Sequence, residues 1–230
     1  MTPLRSISSF TSRLAISLVI LAAAPTLTAA QTVSPPEGEK KEAWFQGLEL
    51  SVDVVGPAML ALGDYGAVEA ALRMNIKGKY FPIVEIGYAD CEKTEETTSL
   101  TYTTSAPYYR IGCDFNILRD KHDIYRLYIG VRYAYTTYEY DLSHPGITDP
   151  VWGGTSEYSI IGESASYSWF EALAGVQAKI CGPLHLGWSL RYKSRISSDE
   201  GSLGKSWYVP GYGTSDSSGF GATFNIIFVL

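Results

Sequence analysis

From Trp44 onward, hydrophobic and polar residues alternate with a period of two in eight separate stretches. A period of two places successive side chains on opposite faces of a β-strand. The sharpest stretch sets Leu184, Leu186, Trp188, Leu190 and Tyr192 against His185, Gly187, Ser189, Arg191 and Lys193. The last sets Phe220, Ala222, Phe224, Ile226, Phe228 and Leu230 against Gly221, Thr223, Asn225, Ile227 and Val229. Six further strands are expected over 47–54, 69–76, 84–89, 108–117, 125–134 and 170–179, and no apolar face among the eight carries a charge. About ten residues at this spacing is the length of a tilted membrane strand.

Alternation alone does not say which face is outside. An eight-stranded barrel has an interior only wide enough to be filled by side chains, and the apolar face holds too many Phe, Tyr, Trp and Leu to fit there. The polar face mixes its charges with Gly87, Gly112, Gly130, Gly175 and Gly187, which leaves room for long arginines in a crowded bore. The expected fold is therefore an all-β, eight-stranded antiparallel up-and-down transmembrane β-barrel, with a polar lumen filled by side chains and an apolar face toward lipid. Connection lengths agree. GPAMLALGDYGA, CEKTEETTSLTYTTSA, about 140–165 and 197–218 read as long loops; Gly78 and Lys79, 119–123 and 181–183 read as short turns, with both chain ends on the short-turn side.

The first thirty residues stand apart. Arg5 and Arg13 precede the apolar run Leu14 to Ala24, and small residues lead up to Ala30, the pattern of a secretory signal peptide over 1–30. Residues 31–43 are polar and proline-containing and read as a disordered periplasmic lead-in, leaving 44–230 for the barrel. Tyrosine at 17 and glycine at 22, with only 18% charged residues, favour strands over helices. The 24 acidic side chains outnumber the 18 basic ones, so nucleic acid is not an expected partner.

Candidate chemistry lies in two places. The first is the lumen, where Glu49, Asp53, Glu69, Glu85, Asp114 and Glu171 face Arg73, Arg110, Arg126, Arg132, Lys179 and Arg191. Such charges must be paired or wet. They form either a structural ion-pair network or a gated ion path. The second place is the outer loops, where Trp152, Tyr158, Trp207, Tyr208 and Tyr212 serve as binding anchors or pack the barrel mouth. His144 adjoins Ser143 near Asp141, but Asp, Ser, Pro and Gly also make a turn, so no catalytic residue is assigned. Cys91, Cys113 and Cys181 are expected as free thiols, and neither a metal site nor a cofactor is expected.

The stretches GDYGAVEAALRMNIKGKYFPIVEIGYAD and APYYRIGCDFN resemble a family of Bacteroidota proteins, a domain of unknown function, expected to be outer-membrane β-barrels. In general plan the chain is also similar to small eight-stranded outer-membrane barrels that act as adhesins, anchors or lipid-modifying enzymes. Phe228, third from the end, resembles the recognition strand used by the barrel-assembly machinery, although Leu230 departs from the commoner aromatic terminus. These resemblances imply the outer membrane of a Gram-negative bacterium, extracellular loops and periplasmic termini. The expected partners are outer-membrane lipid, the assembly machinery and an unidentified extracellular partner. The expected role is non-enzymatic, structural or surface-binding; a small gated channel or a lipid-modifying enzyme are the alternatives.

Overall fold

Eight of the strands pair each with its sequence neighbour and close on themselves. They are β1 (Phe45–Asp53), β2 (Tyr65–Ile76), β3 (Tyr80–Thr94), β4 (Thr101–Asn116), β5 (Tyr125–Thr148), β6 (Thr155–Cys181), β7 (Leu184–Asp199) and β10 (Ser218–Val229). All neighbours are antiparallel, and β10 returns to pair with β1. The remaining elements are a helix α1 (Val55–Leu62) between β1 and β2, and two short strands, β8 (Tyr208–Val209) and β9 (Gly213–Thr214), which pair with each other. This computed structural model describes residues 43–118, 124–148, 153, 155–199 and 204–230. The expected leader over 1–30, nearly all of the lead-in over 31–43, His122 and Trp152 lie outside the described residues.

Register explains why the alternation is so strict. Glu49 lies opposite Arg73, Glu85 opposite Arg110 and Arg132 opposite Glu171, so acid and base are cross-strand neighbours on the inner face. Slipping one of these charged strands by one residue would turn its charges into the lipid. Local turns support this register. Lys77 and Gly78 adopt left-handed backbone, and Gly78 N donates to Asn75 Oδ1 at 2.9 Å, so the β2–β3 connection is tight.

The faces are oriented as a membrane barrel requires. Ile129, Trp188 and Phe224 are 48%, 50% and 39% exposed, whereas Arg132 and Glu171 are each 1% exposed. On β5 the outward apolar row runs from Tyr125 to Tyr135. Ten steps of about 3.3 Å at a tilt of about 40–45° make this band roughly 25 Å tall, the height of a membrane barrel's apolar belt. Aromatic pairs mark its edges: Tyr80 with Phe115 at the short-turn end, Tyr133 with Phe170 and Tyr192 with Phe220 toward the other.

Two expected loops are corrected to strand. Most of CEKTEETTSLTYTTSA belongs to β3 and β4, and most of 140–165 belongs to β5 and β6, which run for 24 and 27 residues. The reason is that alternation continues past the lipid with its chemistry exchanged between faces. Above Tyr109 and Tyr135 the outer face carries Thr103, Ser105, Thr137, Glu139 and Asp141, while Tyr102, Ala106, Tyr138 and Tyr140 point inward. Water now lies outside, so the apolar side chains pack within. The first long connection likewise contains α1 rather than irregular loop, and Asp53 holds its start by accepting from Gly56 N at 2.7 Å.

Glycine makes room in the bore. Gly175 sits directly opposite Tyr128, and a Cβ there would lie 2.5 Å from the tyrosine ring and 2.7 Å from the Trp188 carbonyl. Gly175→Val should therefore overpack the lumen and destabilise the barrel by about 1–3 kcal/mol. Gly219→Val, where a Cβ meets nothing, should be near neutral. Urea midpoints of the two variants, refolded into lipid vesicles, check this.

Candidate functional site

The lumen at membrane level is one ionic lattice. Arg126 pairs with Glu49 at 2.8 Å; Glu49 pairs with Arg73 at 3.3 Å, and Arg73 with Asp114 at 2.9 Å. Arg132 continues the chain, 2.7 Å from Asp114 and 2.9 Å from Glu85. Glu85 is the hub, since Arg191 at 2.8 Å and Arg110 at 3.2 Å also meet it. Those two arginines reach Glu171 at 3.2 and 3.0 Å, and both also pair with Glu69. Among the described residues the lattice joins five carboxylates to five guanidiniums, so its formal charge cancels. Tyrosines complete it: Tyr108 Oη donates to Glu69 at 2.8 Å, and the Arg110 and Arg73 guanidiniums lie over the rings of Tyr108 and Tyr128. The void left between Ser51, Arg73, Glu85 and Arg191 is about 10 Å³. That is roughly room for one water.

Two residues expected in this lattice sit elsewhere. Asp53 is buried but accepts from backbone, Gly56 N at 2.7 Å and Phe224 N at 3.1 Å, because it lies at the end of β1 where the wall meets α1. Lys179 is exposed near the short β6–β7 turn, opposite His185. Lys193 was missing from the expected set, although it shares the inward face with Arg191. Its Nζ donates to the carbonyls of Gly211 and Tyr212, each at 2.9 Å.

Those carbonyls belong to the long connection between β7 and β10, which turns back into the barrel. Tyr208, Val209 and Tyr212 are buried there among Tyr102, Tyr108, Tyr138, Tyr167 and Trp169. Arg110 Nη2 also donates to Gly211 O at 2.9 Å, so the ionic lattice grips the tip of this hairpin. Gly211 has φ +79, and a Cβ would strike the Tyr108 ring at 2.5 Å; only glycine fits both constraints. Tyr102 Oη donates to Tyr208 O at 2.7 Å and Tyr212 Oη to Asp216 O at 2.9 Å. Burial pushes the Tyr208 and Tyr212 phenols above their ordinary range, which keeps both protonated.

The expected loop anchors thus separate. Tyr208 and Tyr212 pack the mouth from within, while Trp207 stays half-exposed at its rim, with Lys93 Nζ 4.5 Å from its ring centre. Tyr158 lies on β6, opposite His144. Trp207, Tyr102, Tyr140, Leu142, Lys93 and Lys205 line a rim pocket of about 240 Å³. Elsewhere, His144 and Ser143 are adjacent residues of β5 and point to opposite faces; His144 Nδ1 accepts from Gly146 N and Asp141 Oδ1 from Gly162 N. Cys91 is buried, Cys113 half-buried and Cys181 exposed, all as free thiols.

Fold and site together define a closed eight-stranded transmembrane β-barrel, filled by an ion lattice at membrane level and by an inward-folded loop at its mouth. The chain belongs to the family described as Domain of unknown function (DUF6048), whose profile matches residues 7–230. The resemblance read from the Gly63–Asp90 and Ala106–Asn116 stretches agrees with that membership. No curated protein matches the chain. Among solved structures, the chain is similar to Ail, the attachment invasion locus protein of Yersinia pestis, in complex with the heparin analogue sucrose octasulfate. That likeness is at 11% identity and a TM-score of 0.39, covering 80% of this chain and 98% of that one.

Glu85→Gln leaves Arg110, Arg132 and Arg191 without their shared carboxylate, a loss of about 3–5 kcal/mol. Glu95→Gln, in an exposed turn, should shift stability by less than about 0.5 kcal/mol. Denaturant titration of both variants in the same vesicles reads the difference.

Proposed function

We propose that this protein is a non-conducting, non-enzymatic barrel of the outer membrane that acts at the cell surface through its loop end. The observation that carries this reading is the double closure of the bore: a charge-balanced lattice with about 10 Å³ of free space, beneath a hydrogen-bonded hairpin. A path for ions would have to break several buried pairs at once. Chemistry open to a partner lies instead at the rim, where the half-exposed Trp207 stands beside Lys93 and Lys205, over the buried Tyr102 and Tyr140. An exposed indole beside two lysines suits recognition of a surface partner. The reading includes removal of a signal peptide over 1–30, insertion from the periplasm by the barrel-assembly machinery, and an orientation with the long strands and Trp207 outside. The apolar belt supports membrane insertion in either direction. The excess of short turns at the other end supports the chosen one.

Purified barrel in a planar lipid bilayer should be electrically silent across the usual voltage range. Discrete conductance steps at neutral pH would establish a channel instead. On intact cells, a membrane-impermeant amine reagent should modify Lys205 at the mouth and spare Lys77 and Lys79 in the β2–β3 turn. The opposite labelling pattern would reverse the orientation.

A further inference from the structure

The barrel wall has a seam. Pairing between β4 and β5 runs from Thr101 opposite Ser143 to Thr104 opposite Tyr140, stops, and resumes at Tyr108 opposite Thr136. Across the same stretch Ser105, Ala106 and Pro107 keep their partners on β3, and Thr137, Tyr138 and Glu139 keep theirs on β6. The interruption is therefore confined to one junction. Its cause is Pro107. Its carbonyl accepts from Thr136 Oγ1 at 2.8 Å, so this residue's hydrogen-bonding edge faces β5, where a proline nitrogen has nothing to donate. At the other margin Thr104 Oγ1 donates to Glu139 O at 2.7 Å. Two threonine hydroxyls thus frame a gap that the backbone ladder leaves open.

Over this gap lies a groove of about 490 Å³ on the outer wall, lined by Ser105, Pro107, Thr137, Glu139, Ser166 and Asp199. Thr137 is opposite Ser166 and Ser166 opposite Asp199, which puts all three on one outward row across three strands. Ser105 Oγ is held 2.6 Å from the Tyr88 hydroxyl. The level of the groove indicates what fills it. Pro107 is two residues above Tyr109 and Thr137 two above Tyr135, the last lipid-facing aromatics on their strands. The groove begins where the apolar belt ends, at the depth of lipid headgroups.

Its chemistry narrows the headgroup. The lining offers hydroxyls and two exposed carboxylates but no lysine or arginine. Glu139 and Asp199 repel a bare phosphate, whereas sugar hydroxyls can donate to both and exchange hydrogen bonds with Ser105, Thr137 and Ser166. We propose that this seam is a docking site for the sugar headgroup of a glycolipid in the adjoining leaflet, its acyl chains lying against Tyr109 and Tyr135. The site is distinct from the rim pocket around Trp207 and does not depend on what that pocket binds.

Native mass spectrometry of the detergent-purified barrel, offered equal amounts of a monoglucosyl diacylglycerol and of phosphatidylethanolamine with the same acyl chains, tests the assignment. The barrel should retain the glycolipid at least about tenfold better. Glu139→Ala combined with Asp199→Ala, two exposed positions, should remove that preference while the protein still migrates as a heat-modifiable folded band. Free methyl glucoside should not displace the bound lipid at equal concentration. Equal retention of the two lipids, an unchanged preference in the double variant, or displacement by the free sugar would each overturn the proposal.

Discussion

A backbone that crosses hydrocarbon finds no water for its N–H and C=O groups, so a sheet can do so only by closing. Everything else in this protein follows from that closure. Eight strands joined edge to edge leave a bore too narrow for solvent, and the inward side chains must then satisfy one another. Acids and bases do so by pairing between strands, Glu49 with Arg73 directly across the register and Glu85 with Arg191 across the bore. The lattice is thus as much a condition of the fold as a consequence of it. An unmatched charge at this depth would have neither water nor a partner.

The boundary of the lipid is written into the wall as an exchange of chemistry. Below Tyr135 the outer face is apolar and the inner face ionic; above it the outer face carries hydroxyls and acids, and the inner face carries tyrosines and Trp169. The same strand serves both storeys because only the solvent outside has changed. In the upper storey the connection between β7 and β10 fills the space between tyrosines, and Arg110 links the two levels, meeting Glu171 at 3.0 Å below and Gly211 O at 2.9 Å above. The two closures are one connected structure. Between β4 and β5 Pro107 interrupts the wall, at the height where lipid gives way to water.

Much of the membrane-level barrel was legible in the residues themselves. Period-two alternation in eight stretches located the strands, and the volume of Phe, Tyr and Trp on one face oriented them. The charged face likewise named ten residues that do form the lattice. What escaped were the elements whose faces break the rule. Tyr102, Tyr138 and Tyr140 look like loop aromatics to a search for an apolar outer face, yet they line the bore above the lipid. Tyr208 and Tyr212 show no periodicity, so their inward position depends on carbonyls gripped by Lys193 and Arg110.

The linear order of residues determined the face each side chain takes, because alternation is a local property of an extended chain and its apolar content decides which side can meet lipid. It also placed acids and bases together in the interior. Partner choice came only from the closed sheet. Glu85 meets Arg132 and Arg191, 47 and 106 residues away, because curvature brings distant strands across a narrow bore. Asp53 turned to backbone and Lys179 to solvent for the same reason: height along the barrel, set by strand tilt and register, decides which charges face one another, and no spacing within one strand encodes it.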